Sequence, residues 1–206
     1  MSDNCIGREA VYVEAIRRKY TLLRKLGEGL SCEVYLAEHK QLHHLCAVKC
    51  ISKEKFDREA FEREAELLSG LNHFYFPVLY DCEEDELCWY LIQEYISGQS
   101  LRNLKDTKKT ISQEEIIRLA ADLCEAIKWL HERKPYPILY LDLKPEHIII
   151  SREGIKLLDL GSAVYLRGKQ ISGNVTGTAG FASPEQLKGG NIDERSDIYA
   201  IGAVLY

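Results

Sequence analysis

Within the segment from Tyr20 to His39, Val34 and Leu36 alternate with Tyr35 and Ala37. That two-residue period predicts two strands, with the LGEG segment as a glycine turn between them. LCAVKCI predicts a third strand, residues 53–71 a helix, and PVLYDCE and LCWYLIQEYI two further strands flanking an acidic EDE turn. The period then lengthens. SQEEIIRLAADLCEAIKWLHERK sets Ile116, Ala120, Leu123, Ile127 and Leu130 at helical spacing, and Ser112 and Glu115 stand at capping-box distance. HIIIS and IKLLD, joined by REG, predict a hairpin. Residues 160–183 are polar with little regular structure expected; a loop of that length in a compact domain is usually functional. The apolar helical pattern DIYAIGAVLY runs to Tyr206 without a polar closing turn, which reads as a chain cut inside its second lobe. Residues 1–19 are mixed and charged, consistent with a short helix leading into the domain.

Composition narrows the class. A chain of 206 residues makes one large domain or two small lobes, and 46% hydrophobic residues suffice for a core. The net charge of −5 speaks against nucleic acid or anionic membrane as a bulk partner, so phosphate chemistry would need a local site. The cysteines at 5, 32, 46, 50, 82, 88 and 124 are odd in number and form no CxxC pair. They fit a reducing, cytoplasmic setting better than a disulfide scaffold or a zinc site. Cys46 and Cys50 share one face of a strand and read as buried, inert thiols. No signal-peptide core and no run of about 18 apolar residues occurs, so no membrane segment is expected in this chain.

Several charged residues sit where charge is costly. Lys49 interrupts an apolar strand, as a snorkelling lysine on an edge strand or as a buried ammonium that needs an anion. Glu64 falls among Ala60, Phe61, Leu67 and Leu68 on the apolar face of the first long helix and could supply that anion. Asp142 and Asp159 flank the same hairpin and can converge on a cation; Mg²⁺ takes one or two carboxylates plus substrate phosphates. Lys144 could reach a phosphate, and the backbone at Gly27 and Gly29 is open to one.

Taken in order, the glycine turn, strand lysine, helix glutamate, D-L-K-P-E, D-L-G and S-P-E resemble a eukaryotic-type serine/threonine protein kinase from about Tyr20 to the end. The resemblance implies an α+β, bilobal fold with a strand-rich N-lobe holding one helix and a mainly helical, incomplete C-lobe. Its divisions would be an extension over 1–19, the N-lobe and hinge over 20–96, and a partial C-lobe over 97–206. It further implies ATP and Mg²⁺ as cofactors, with Mn²⁺ as an alternative ion, and proteins bearing Ser or Thr as substrates. Gly27 and Gly29 would cover the phosphates, and Lys49 would pair with the α- and β-phosphates and with Glu64. Val34 and Ala47 would lie over the adenine with Ile149 beneath it, Gln93 as gatekeeper and the Glu94–Ile96 backbone along the adenine edge. Asp142 would be the base, Lys144 would steady the γ-phosphate, and Asp159 would hold the metal. Thr178 resembles the threonine of serine/threonine kinases, and Asp197 the aspartate that anchors the catalytic loop.

The departures are specific. Cys32 stands at the third glycine, and Tyr140-Leu141-Asp142 replaces H-R-D. Without that arginine, activity is expected to be independent of loop phosphorylation, for which Thr176 and then Ser172 are the candidate sites. His147 replaces the metal-binding asparagine. An imidazole there is expected to favour Mn²⁺ and, titrating near pH 6.5, to cost activity below neutral pH; a merely hydrogen-bonding His147 is the other reading. A pseudokinase that binds nucleotide without turnover, and a small-molecule kinase of related fold, stay open as alternatives.

Overall fold

The computed structural model describes residues 14–29, 32–107, 111–172 and 177–206, the side chains of Glu14, Ala15 and Ser172 apart. Cys5 and Thr176 lie outside the described residues. The chain forms two compact units, Met1–Asn72 with Pro77–Ile96, and His73–Phe76 with Ser97–Tyr206.

The first unit is built on a five-stranded antiparallel sheet in the order β1-β2-β3-β5-β4. Its strands are β1 (Tyr20–Glu28), β2 (Cys32–His39), β3 (Leu45–Ser52), β4 (Leu79–Glu84) and β5 (Cys88–Glu94). The alternation read from the sequence sorts the side chains of β3 onto two faces. Cys46, Val48 and Cys50 enter a core with Ala37, Cys88, Tyr90 and Ile92. The short helix α1 (Glu14–Lys19) adds Ile16 to the same core, which explains why this segment folds. Cross-strand pairing puts Val34, Lys49 and Leu91 in one row and Leu36, Ala47 and Gln93 in the next, on the opposite face.

Helix α2 spans Arg58–Gly70, not the whole of 53–71. Asp57 sets its start by accepting the Ala60 N–H at 2.7 Å, while the N–H groups of Lys55 and Phe56 turn back onto the Ser52 carbonyl.

The second unit contains β6 (Gly98–Ser100), α3 (Leu101–Asp106), α4 (Gln113–His131), β7 (Ile138–Leu139) and a 3₁₀ turn at Pro145–His147. The hairpin of β8 (Ile148–Ser151) and β9 (Ile155–Leu157) follows, turning at Gly154 with φ of 133°. The Ser112–Glu115 capping box is formed in both directions. The buried face of α4 is rotated from the expected one: Leu119, Leu123, Ala126, Ile127 and Leu130 are buried, and Ile116 is exposed.

Residues 160–183 hold more structure than their polarity suggests. Strand β10 (Val164–Tyr165) pairs with β7, and β11 (Ile171–Ser172) pairs with β12 (Asn191–Ile192). Leu139, Leu141, Leu166 and Ile192 form a buried cluster under these strands, with Val164 and Ile171 at its margin. Helix α5 (Pro184–Lys188) and helix α6 (Arg195–Leu205) close the unit; α6 buries Ser196, Asp197, Ala200 and Ile201 and exposes Ile198 and Tyr199. Among the described residues no helix is long and apolar enough to cross a membrane.

Candidate active site

In the first unit the charged pair meets as expected. Lys49 Nζ lies 2.7 Å from Glu64 Oε1, with the two side chains 9% and 2% exposed. Strand β3 is flanked by β2 and β5, so the edge-strand alternative for Lys49 is excluded. Breaking a buried pair of this kind by removing one partner costs ~3–5 kcal/mol. Val34, Ala47 and Gln93 share the face of the sheet that carries Lys49, Gln93 and Ala47 being buried. The Glu94 N–H is bonded to the Val78 carbonyl at 2.8 Å, which fixes the chain where β5 ends before Ile96. At the turn after β1, the Gly29 N–H donates to the Cys32 carbonyl at 2.8 Å, and a Cβ on Gly29 would stand 3.3 Å from Cys32 Sγ. The cysteine at the third glycine position thus packs its Sγ against Gly29, and a Cβ on Gly27 would meet nothing within 4 Å.

In the second unit three side chains converge. Lys144 Nζ donates to Asp142 Oδ2 at 2.7 Å and to Thr178 Oγ1 at 3.1 Å, and the Thr178 hydroxyl donates to Asp142 Oδ1 at 2.5 Å. Asp142 is carried on a loop held by a fully buried carboxylate. Asp197 Oδ1 accepts the Leu141 N–H at 2.8 Å; Oδ2 accepts the Tyr140 N–H at 2.9 Å and lies 2.8 Å from His131 Nε2. A carboxylate with three donors meets the cost of its burial. Two non-glycine residues here adopt left-handed backbone, Leu141 with φ of 65° and Asp159 with φ of 59°. Such conformations cost about 1–3 kcal/mol each and gather at functional sites. Tyr140 and Leu158 tie the two loops together: the Tyr140 hydroxyl donates to the Leu158 carbonyl, and the Leu158 N–H donates to the His147 carbonyl at 2.8 Å. Ile149 lies in β8, paired with Lys156 of β9.

His147 faces both aspartates. Its Nδ1 lies 3.0 Å from the Asp142 backbone carbonyl, and its Nε2 lies 3.6 Å from Asp159 Oδ2. Burial is the main force on the ring and lowers its pKa, against the opposing pull of Asp159. The imidazole is therefore neutral at neutral pH and stays so into more acid solution than the unperturbed 6.5 implies. A neutral ring next to a carbonyl carries its proton on Nδ1, which leaves the Nε2 lone pair turned toward Asp159. Among the described residues no group of three or more His, Cys, Asp and Glu side chains is arranged to hold a metal ion.

A family model for the protein kinase domain matches residues 20–206. The chain belongs to the protein kinase family. It is 35% identical over 201 residues to serine/threonine-protein kinase PknB of Mycolicibacterium smegmatis, covering 91% of this chain and 32% of that protein. Similarity to serine/threonine-protein kinase PrkC of Bacillus subtilis is 33% identity over 199 residues, with 93% and 30% covered. A probable serine/threonine-protein kinase of Streptomyces coelicolor, SCO3848, is 31% identical over 201 residues. This kinase chain spans about a third of the length of the curated relatives it matches.

The roles of Tyr140, His131 and Gln186 in holding the loop that carries Asp142 were not legible in the sequence. Gln186 is 5% exposed, and its Nε2 donates to the Leu141 carbonyl at 2.9 Å. A glutamine three residues past Ser183 reads as a helix-capping residue, and its second bond spans 45 residues.

Proposed function

We propose that this chain is the catalytic domain of an ATP-dependent protein kinase that transfers the γ-phosphoryl group to serine and threonine hydroxyls of proteins. The observation that carries this reading is the Asp142–Lys144–Thr178 triangle: a carboxylate, an ammonium and a hydroxyl already in mutual hydrogen bonds.

Each residue then has a task. Lys49, oriented by Glu64, binds the α- and β-phosphates, while Val34 and Ala47 cover the adenine beside Gln93 and the Glu94–Ile96 backbone; Ile149 of the second unit is the further adenine residue that the family resemblance implies. Gly27 and Gly29, having no side chains, let the phosphates come close to the backbone of this turn. Asp142 orients the substrate hydroxyl and accepts its proton as the oxygen bonds to the γ-phosphorus; the bond to the β-phosphate oxygen breaks and ADP leaves. Lys144 offsets charge on the transferring group. Asp159 Oδ2 and His147 Nε2, 3.6 Å apart, are the donors that would hold a divalent ion. Two protein donors fit an ion that takes its remaining ligands from phosphate and water; when bound it neutralises phosphate charge. The Nδ1 contact to the Asp142 carbonyl is the arrangement that orients a metal-binding imidazole.

A pseudokinase is the second reading, favoured by His147 at the amide position and by Leu141 in place of the arginine. The deciding experiment is transfer of labelled γ-phosphate by the full-length protein with Mg²⁺ or Mn²⁺, alongside Lys49→Met. Turnover that depends on Lys49 supports the kinase; nucleotide binding without turnover supports the pseudokinase. The net charge of −5 and the odd number of cysteines without a CxxC pair support a reducing, cytoplasmic setting for this activity and speak against a nucleic-acid partner.

A further inference from the structure

Leu141, where the family's arginine would stand, is anchored at every point. Its side chain is 2% exposed in the cluster with Leu139, Leu166 and Ile192. Its N–H is held by Asp197 at 2.8 Å, and its carbonyl by the Gln186 amide at 2.9 Å. Gln186 is bound at both ends of that amide. Its Oε1 accepts the Ser183 N–H at 3.0 Å, closing the capping box of α5, while Nε2 reaches Leu141. The backbone that carries Thr178 lies directly on this amide. A Cβ on Gly177 would come within 2.9 Å of Gln186 Nε2 and 2.7 Å of Ala182 Cβ, so only glycine fits there.

We infer that Gln186 is a positioning residue for Asp142: its amide locks the 177–183 segment to the Leu141 carbonyl, so that Thr178 meets Asp142 and Lys144 without a phosphate on the loop. The lock uses neutral groups only. It joins the residue before Asp142 to the segment that presents Thr178, and it holds Leu141 in its left-handed conformation, which a leucine adopts only under constraint. In a kinase with arginine at this position a phosphate can bridge loop and base; here an amide and an apolar cluster do the same work. The inference rests on the phosphoryl-transfer reading for its effect on rate, but the linkage itself is independent of that reading.

Gln186→Glu separates the two functions of the side chain. A glutamate keeps the capping-box acceptor for Ser183 but loses the donor to Leu141. In the full-length protein, kcat for a protein substrate should fall roughly 10- to 100-fold, with KM for ATP changed less than about twofold. Hydrogen exchange should rise together over residues 141–143 and 177–182. Gln186→Met, which buries no charge, should give the same paired rise and guards against a variant that fails to fold. If exchange in 141–143 is unchanged in both variants, or if an active parent and Gln186→Met share the same kcat, the inference is wrong. An inactive parent with the paired rise intact would overturn the kinase reading and leave the lock standing.

Discussion

The Thr178 hydroxyl donates to the Asp142 carboxylate at 2.5 Å while Lys144 bonds both residues. The hydroxyl occupies one carboxylate oxygen and leaves the other shared with an ammonium, so Asp142 is oriented before any substrate arrives. Thr178→Val keeps the shape and removes the bond. We expect kcat to drop roughly 10- to 100-fold with KM for ATP nearly unchanged, and Thr178→Ser to restore most of the rate. Steady-state kinetics on both variants check this; equal losses in Val and Ser variants would count against the hydrogen bond.

Lys49 and Glu64 form the buried pair of the first unit. Lys49→Met should abolish most turnover and also lower the melting temperature, because Glu64 is left in an apolar setting, at a cost on the order of 3–5 kcal/mol. Adding Glu64→Gln should recover part of the stability and none of the activity. A thermal melt of the single and double variants separates the two effects.

Leu141 sits in an apolar cluster rather than beside a phosphate. Phosphatase treatment should leave the rate unchanged, whichever loop residues carry phosphate. Leu141→Ala should destabilise the protein by ~2–5 kcal/mol, as deletion of a buried leucine does. A rate that collapses on dephosphorylation would show that a basic residue elsewhere pairs with the loop.

His147 Nε2, turned toward Asp159, would make a specific demand on a bound ion. His147→Asn replaces a nitrogen donor by an amide oxygen, so the Mg²⁺-supported rate should rise and any preference for Mn²⁺ should shrink. Rates with each metal at saturating ATP give the answer; an unchanged metal preference would make His147 a structural hydrogen-bonding residue.

Burial pushes the Cys46 and Cys88 thiols up to about 11 and Cys50 higher still, whereas Cys82 and Cys124 are exposed. Thiolate is the reactive form, so alkylation of the folded protein at pH 8 should mark Cys124 and, more slowly, Cys82, whose thiol is also raised by desolvation. Mass spectrometry should find Cys46, Cys50 and Cys88 unmodified until the protein is denatured.

Much of this was legible in the chain because charge in an apolar run is a local signal. Lys49 and Glu64 stand out in CAVKCI and in the apolar face of α2, and the cost of burying either charge alone suggested the pair that stands at 2.7 Å. The hairpin and the Ser112 capping box were legible for the same reason, their spacing being short. What escaped notice depends on contacts distant in sequence. Ile116 has the spacing of a core residue, but α4 turns Leu119 inward instead, a choice made by the elements packed against it. The polar composition of 160–183 hid β10 and β11, because two-residue strands gain their stability from β7, β12 and the Leu141 cluster rather than from their own pattern. Gln186 is invisible as a contact of the Asp142 loop for the same reason.

In the proposed function Asp142, held by Thr178, Lys144 and the Leu141 anchor, serves phosphoryl transfer. The most direct measurement is transfer of labelled γ-phosphate from ATP to serine or threonine of a protein substrate by the full-length protein, compared with Asp142→Asn. The parent should turn over with Mg²⁺ or Mn²⁺, and the variant should lose roughly 100-fold or more while retaining nucleotide binding. Equal rates in the two proteins, or a parent that binds nucleotide and transfers nothing under either metal, would contradict it.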